Sequence, residues 1–84
     1  MIKKNMTIQI PTGLEARPVA IFVQVASQFE SSIYVEVGTK RVNAKSIMGM
    51  MTLGLDVGEE VVVSAAGNDE DAAIAEIEKY LSAK

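Results

Sequence analysis

Two short segments of the chain carry residue types that suit the binding of an anion. The first is Gly13-Leu14-Glu15-Ala16-Arg17-Pro18, and the second is Asn43-Ala44-Lys45-Ser46-Ile47-Met48-Gly49. Each places small residues and one cation at the predicted start of a helix, where unpaired amide hydrogens and the helix dipole favour negative charge. Taken alone, either segment is compatible with an ordinary capped helix start. The two together, in this order, are more specific.

The composition excludes several kinds of chemistry. None of the 84 residues is cysteine or histidine. Without cysteine there is no disulfide, thiolate nucleophile, iron–sulfur cluster or cysteine zinc site, and we expect no metal centre. Without histidine there is no Ser-His triad, no phosphohistidine and no ordinary proton shuttle at neutral pH. Any chemistry must use carboxylate, hydroxyl, amine or backbone groups.

Length and charge further restrict the kind of protein that this sequence encodes. Residues 1–84 suffice for one domain, and we expect a single domain over that range. The net charge of −3 and the scarcity of aromatic residues argue against a nucleic-acid partner. The bases are concentrated in the first 53 residues, which suggests one small anionic ligand or one modified residue. No apolar run is long enough for membrane insertion and the start does not resemble a signal peptide, so we expect a cytoplasmic protein.

Hydrophobic periodicity predicts seven elements in the order strand, helix, strand, strand, helix, strand, helix. A helix stripe is formed by Val19, Phe22, Val23, Ala26 and Phe29, with Pro18 in the first turn. Ser46 is the predicted N-cap of a helix over 47–53 that ends before Gly54. The strands are expected at about 2–10, 33–37, 41–43 and 60–67. Asn68 or Asp69 is the expected N-cap of the last helix. This helix is expected to bury Ala73, Ile74, Ile77, Tyr80 and Leu81.

This order predicts an α+β fold, an open-faced sandwich of a four-stranded antiparallel sheet covered on one face by three helices. One-sided coverage buries every apolar stripe. The other face of the sheet is expected to show Thr7, Gln9, Tyr34 and Glu36 to water.

Over essentially its whole length the chain resembles the HPr family, the small phosphocarriers of the bacterial phosphoenolpyruvate:sugar phosphotransferase system. The family reads Gly-Leu-His-Ala-Arg-Pro in the first segment and surrounds a regulatory serine with Lys-Ser-Ile-Met-Gly in the second. Both segments are kept here except at one position, where Glu15 stands in place of the phosphoacceptor histidine. The resemblance implies the order βαββαβα and a protein that is not an enzyme.

Glu15 leaves three roles open. A carboxylate can accept a phosphoryl group as an acyl phosphate, so carrier chemistry is not forbidden. Glu15 can instead be an exposed acid paired with Arg17 or with the helix N-terminus, which would stabilise the fold by only about 0.3–1 kcal/mol. A third role is a fixed negative charge that imitates the phosphorylated histidine.

The intact second segment resembles a regulatory branch of the family, the catabolite-repression HPr proteins (Crh), which also lack the histidine but carry glutamine at that position. The resemblance implies phosphorylation of Ser46 by an ATP-dependent HPr kinase/phosphorylase. The product would bind a transcription regulator of the catabolite control protein A type. Arg17, Ala16 and Lys45 are the implied anion-binding residues.

The second helix also predicts a docking surface. Met50 and Leu53 are expected to face the core, whereas Ile47, Met48 and Met51 group on the other side, although a helix of two turns can also be largely covered. The resemblance implies partner binding through Arg17, Ala20, Lys45, Ile47, Met48 and Met51.

The sequence therefore favours a regulatory module that acts by binding partner proteins. The alternatives are a specialised phosphocarrier or docking subunit that uses Glu15 and meets enzyme I or sugar-permease components, and an HPr relative that docks without being modified. The chain is expected to be a monomer or a weak dimer that exchanges the first strand.

Overall fold

The computed structural model describes residues 1–10 and 16–82, and the side chain of Ala16 lies outside this description. Within these ranges the seven predicted elements are present in the predicted order, which confirms the fold class. They are β1 (Ile2–Thr7), α1 (Ala16–Ser27), β2 (Ser32–Val37), β3 (Lys40–Asn43), α2 (Ile47–Met51), β4 (Glu60–Ala66) and α3 (Glu70–Leu81).

The four strands form one antiparallel sheet in the order β1-β4-β2-β3. β4 lies between β1 and β2, with Val63 opposite Lys4 on one side and opposite Val35 on the other. Gly38, whose φ is +59°, lies in the two-residue turn from β2 to β3. A left-handed φ at this turn favours glycine because a Cβ would make it costly.

The core lies between one face of this sheet and the three helices. Two residues of the predicted helix stripes, Phe29 and Tyr80, are only half-buried, and Phe29 lies beyond the end of α1. Most of the inward-facing residues of β1, β2 and β4, the rest of the α1 and α3 stripes, and Met50 of α2 are buried, as the periodicity predicts. Full burial of such a side chain stabilises the fold by about 1.5–3 kcal/mol relative to exposure. The large side chains with almost no exposure are Phe22, Ile8, Ile33, Met50, Ile77, Leu81, Val19, Val35 and Val63.

The first strand is shorter than the prediction of residues 2–10. It ends at Thr7, and the next residues bond outside the ladder. The amide of Ile8 donates to the Glu59 carbonyl at 2.9 Å, and the amide of Gln9 donates to the Leu81 carbonyl at 2.8 Å. The alternating pattern continues because Ile8 remains buried, but its backbone partners have changed from β4 to a loop and a helix end.

The second helix is also shorter than its predicted range of 47–53. It ends at Met51, and Thr52 caps it by donating from its amide and its hydroxyl to the Gly49 carbonyl. Gly54 has a φ of +55°, in agreement with its predicted left-handed conformation, but it follows an irregular residue rather than the last helical one. Leu53 packs half-buried against the core, as expected of an inward-facing residue.

The predicted cap of α3 works differently from the expectation. Asp69 occupies the N-cap position, yet its side chain makes no capping hydrogen bond. Its carboxylate instead accepts from the Glu30 amide at 2.8 Å, from the Ser31 amide at 3.0 Å and from the Ser31 hydroxyl. Asp69 therefore ties the α1–β2 loop to the start of α3, a long-range contact that local capping patterns do not encode.

Glycine is required next to this contact. A Cβ built on Gly67 would lie 2.6 Å from Ser31 Oγ and 2.7 Å from Ser31 Cα, too close for any other residue without movement of the loop. The Gly67 amide donates to Glu70 Oε1 at 3.1 Å, and the terminal ammonium of Met1 lies 3.3 Å from Glu70 Oε2. The amide of Gly67 first, and the ammonium second, lower the pKa of Glu70.

The face of the sheet away from the helices is less open than predicted. Thr7, Gln9, Tyr34 and Glu36 are half-buried rather than exposed. Glu36 lies between Lys3 at 3.9 Å and Arg41 at 3.5 Å, and the Arg41 guanidinium lies 4.0 Å from the centre of the Tyr34 ring. The long side chains of Lys3 and Arg41 thus approach Glu36 and the Tyr34 ring, and they shield these two residues from water.

Removal of the Asp69 charge should make the protein less stable at neutral pH. The hydrogen bond from the Ser31 hydroxyl, followed by that from the Glu30 amide, lowers the pKa of Asp69. A carboxyl with a lowered folded pKa contributes stability above its unfolded value of about 3.9, and that contribution is lost as the pH falls through the folded pKa. Asp69→Asn should therefore unfold at lower urea concentration than the parent at pH 7, with a smaller difference below about pH 4.

The matched control for this measurement is Asp71→Asn, since Asp71 is an exposed acid in the first turn of the same helix. Urea unfolding of this variant should follow the parent at both pH values. A loss of stability in Asp69→Asn that is independent of pH would contradict the role of the charge.

Candidate functional site

The candidate site is centred on Ser46, at the turn between β3 and α2. Its hydroxyl oxygen accepts from the Gly49 amide at 3.1 Å, and its carbonyl accepts from the Met50 amide at 3.0 Å. Ser46 is thus the N-cap of α2, as predicted. The residue is half-buried, and the Gly49 amide holds the hydroxyl within the turn.

The preceding turn fixes the position of Ser46. Asn43 Oδ1 accepts from the Lys45 amide at 2.8 Å, and the Asn43 carbonyl accepts from the Ser46 amide at 3.0 Å. Ala44 is buried, and its amide donates to the Ile33 carbonyl at 2.9 Å, which joins the turn to the sheet. The segment folds in this way because the Asn43 side chain closes the turn, Ala44 is small enough to be buried, and the Ser46 hydroxyl caps α2.

An apolar surface lies directly beside the hydroxyl. We call it the α2 patch and define it as Ile47, Met48 and Met51, whose exposed fractions are 48%, 82% and 51%. Met50, on the same helix, is completely buried. The structure therefore agrees with the predicted division of α2 into an inward residue and an exposed methionine-rich face.

Helix α1 packs against α2 and adds further exposed residues to this region of the molecule. Arg17 is exposed and Ala20 is half-buried, so two of the residues predicted to bind partners are accessible. Ile21 is also exposed, to 41%, and the residues predicted to bind partners did not include it. Helical spacing could have indicated this exposure, because Ile21 falls outside the buried stripe of α1 and shares a helical face with Arg17 and Gln24.

Lys45 is positioned by a contact that its sequence pattern did not indicate. Its side chain is half-buried, and Nζ donates to the Phe29 carbonyl at 2.7 Å. Phe29 follows the end of α1 at Ser27, so the ammonium lies where carbonyl groups at a helix C-terminus favour positive charge. Its predicted roles in anion and partner binding stay predictions.

The first segment is described only from Ala16 onward. Thr12 to Glu15 lie outside the described residues, as does the side chain of Ala16, so the roles predicted for Glu15 and Ala16 stay predictions. The described part of the segment is anchored from α3, since the Tyr80 hydroxyl donates to the Pro18 carbonyl at 3.0 Å. Burial raises the pKa of this phenol, which keeps it protonated as a donor.

Two negative findings apply to residues 1–10 and 16–82. These ranges contain no group of three or more His, Cys, Asp or Glu side chains arranged to hold a metal ion. They also contain no helix with the length and apolar character needed to cross a membrane.

Comparisons with known proteins agree with this geometry. A family model described as "PTS HPr component phosphorylation site" matches residues 2–83. HPr-like protein Crh of Bacillus subtilis is 43% identical over 81 residues, which cover 96% of this chain and 95% of that protein. HPr-like protein Crh of Halalkalibacterium halodurans is 47% identical over 83 residues, which cover 94% of this chain and 99% of that protein.

Solved structures show the same architecture. The crystal structure of HPr-C-His from Thermoanaerobacter tengcongensis matches with a TM-score of 0.92 and 49% identity, over 96% of this chain and 91% of that one. Crystalline Crh of Bacillus subtilis, described as a domain-swapping dimer, matches with a TM-score of 0.77 and 43% identity, over 96% of this chain and 93% of that one. The chain belongs to the HPr family, and its curated relatives include HPr-like proteins of the Crh type.

Proposed function

We propose that this protein is a regulatory member of the phosphotransferase system and of carbon catabolite repression that is phosphorylated on Ser46 and acts by binding other proteins. The observation that carries the proposal is the position of the Ser46 hydroxyl, which is held at the N-cap of α2 on a half-buried residue, next to the exposed α2 patch. A single modification there changes the charge of a surface that is otherwise apolar. The kinase proposed for it is of the HPr kinase/phosphorylase type.

The reaction joins the Ser46 oxygen to the γ-phosphorus of ATP. The bond between that phosphorus and the oxygen bridging it to the β-phosphate breaks, ADP leaves, and the hydroxyl proton passes to a base of the kinase. The phosphoserine carries a charge of about −1.5 to −2 at neutral pH. Because its bridging oxygen is the former hydroxyl oxygen, it can still accept from the Gly49 amide, and the fold need not change.

The proposed partner of the modified protein is a transcription regulator of the catabolite control protein A type. Recognition would combine the α2 patch with a charge-assisted bond from an arginine or lysine of the partner to the phosphate. The exposed Arg17 and the half-buried Ala20 on α1 are proposed to extend this contact. The cytoplasm is the proposed location, since the kinase and its ATP are found there.

A phosphocarrier role has less support because the chain lacks imidazole. Phosphoryl transfer from enzyme I would have to use Glu15, whose acyl phosphate would need a different approach from a partner shaped for a ring nitrogen. Docking to enzyme I or to sugar-permease components without transfer remains compatible with the proposed function. The two functions differ in the phosphoryl donor, which makes them separable by experiment.

Exchange of β1 between two copies stays a prediction. β1 is an edge strand of the sheet and bonds to β4 of its own chain in the structure. It also contacts α3 through Lys4, whose Nζ lies 2.7 Å from Glu78 Oε1. An exchanged strand would make the same contacts with a second copy.

Radioactive labelling distinguishes the phosphoryl donors. HPr kinase/phosphorylase with labelled ATP should place one phosphate on the protein, at Ser46, because this hydroxyl lies at the N-cap of α2 next to the α2 patch. Enzyme I with labelled phosphoenolpyruvate should leave the protein unlabelled. Labelling is measured by autoradiography and its site by tandem mass spectrometry.

The variants in this assay separate chemistry from folding. Ser46→Ala loses the N-cap at a cost of about 0.5–2 kcal/mol, so Ser46→Asn, which keeps a capping acceptor without a hydroxyl, is the better test. Both variants should remain unlabelled, whereas Ser27→Ala, which alters an exposed serine at the end of α1, should be labelled like the parent. Labelling from phosphoenolpyruvate that disappears in Glu15→Ala would replace this function with the carrier.

The contact between Lys45 and Phe29 predicts a stabilising role for Lys45 beside any role in binding. Lys45→Met keeps the apolar stem and removes the ammonium, so the Phe29 carbonyl loses a charged donor. The free energy of unfolding in urea should fall by about 1 kcal/mol. Lys40→Met, at an exposed position of β3, should change it by less than about 0.5 kcal/mol. Equal stability of the two variants would show that the contact does not support the fold.

A further inference from the structure

We propose that Met48 and Met51 form a reversible oxidation site that regulates binding at the α2 patch. Its chemical partner is a peroxide, and its product is methionine sulfoxide. The regulatory part of this inference rests on the proposed function, because it assumes that the α2 patch contacts a partner. The selectivity of the site rests on the structure alone.

The methionine side chains of this protein differ strongly in their exposure to solvent. Oxidation of a methionine sulfur depends on access to the oxidant. Met48 and Met51 are exposed to 82% and 51%, whereas Met50 on the same helix has no exposure and Met6 in β1 has 4%. Peroxide should therefore reach two sulfurs of α2 while the third, between them in sequence, is protected by the core.

The composition of the chain places much of its sulfur in the α2 patch. The chain has no cysteine, so its five methionines are its only sulfur atoms, and two of them lie in a surface of three residues. Conversion of both to sulfoxides would leave Ile47 as the single unmodified side chain of the α2 patch. A sulfoxide is polar and accepts hydrogen bonds, so the surface would lose most of its apolar character.

The fold does not depend on the side chains of Met48 and Met51. Met50 alone among the methionines of α2 is completely buried, and the N-cap uses the Ser46 hydroxyl and the Gly49 amide. Oxidation of Met48 and Met51 leaves all of these groups unchanged. The expected effect is a change of surface on an intact protein.

The chemistry balances with hydrogen peroxide as the oxidant. A lone pair of the thioether sulfur attacks one peroxide oxygen, the O–O bond breaks, and the sulfur keeps that oxygen while the rest leaves as water. Sulfur is oxidised by two electrons and the peroxide is reduced by two. Methionine sulfoxide reductases reverse the step, oxidising a pair of thiols to a disulfide and releasing water.

The test exposes the full chain to graded hydrogen peroxide and locates the added oxygen by tandem mass spectrometry. Met48 and Met51 should form sulfoxide at least about tenfold faster than Met50 and Met6, with circular dichroism unchanged. Met1, which is 74% exposed, should react as well and reports an oxidised sulfur outside α2. Oxidation of Met50 as fast as Met48, or oxidation accompanied by unfolding, would overturn the selectivity.

The regulatory part is tested by the rate at which HPr kinase/phosphorylase labels the oxidised protein at Ser46. We expect the rate to fall about tenfold after oxidation and to recover after treatment with methionine sulfoxide reductases. The control is the double variant Met48→Leu/Met51→Leu, which keeps an apolar surface and its oxidisable Met1, and whose labelling should not respond to peroxide. An unchanged rate for the oxidised parent would overturn the regulation.

A readout without a partner separates failure of this inference from failure of the proposed function. If the kinase does not label even the untreated protein, the proposed function is wrong, and retention on a hydrophobic-interaction column still tests the change of surface. The oxidised parent should elute earlier than the untreated protein, and the shift should be clearly larger than the one that oxidation of Met1 causes in the double variant. Unchanged retention of the oxidised parent would overturn the inference.

Discussion

One-sided burial of the sheet is the interaction on which the rest of this structure depends. All three helices place their apolar stripes against the same face, and the core formed there includes Phe22, Val63 and Ile77. A chain of this length can bury only about two thirds of its unfolded surface, so its core is a single layer between sheet and helices. Short elements at the edge of that layer have few residues to contribute to it. Helix α2 is the extreme case.

The geometry of α2 follows from this limit. Only Met50 of the helix is completely buried, and it attaches the helix to the core, while the Ser46 cap and the Thr52 cap close its two ends. The other long apolar side chains of the helix have no remaining surface to cover them and form the α2 patch. Exposed apolar groups on a small protein usually mark an interaction site. The proposed phosphorylation of Ser46, at the edge of this surface, would give a partner both a shape and a charge to recognise.

Much of this arrangement could be predicted from the sequence. Period-two and helical spacing identified all seven elements, because one-sided burial imposes those periods on the residues themselves. The Ser46 cap and the exposure of Met48 followed from local chemistry and helical phase. The resemblance to the HPr family rested on two segments and the element order, and the family match over residues 2–83 confirms it.

The features that the sequence did not reveal are contacts between residues far apart in the chain. Asp69 has the local pattern of a helix cap, yet its carboxylate is taken by the backbone of residues 30 and 31. Lys45 has the local pattern of an anion ligand, yet its ammonium bonds to the Phe29 carbonyl. β1 ends earlier than predicted because the Gln9 amide donates to the Leu81 carbonyl instead of to β4. Such partners are fixed by tertiary packing and leave no periodic signal.

The most direct test of the account is the affinity of a purified catabolite control protein A type regulator for this protein with and without a phosphate on Ser46, measured by isothermal titration calorimetry. A charge-assisted contact to the phosphate should tighten binding by about 1.5–3 kcal/mol, which corresponds to a Kd lower by about 10- to 150-fold. Equal affinity of the two forms, or weaker binding of the phosphorylated one, would contradict the claim that Ser46 controls this surface.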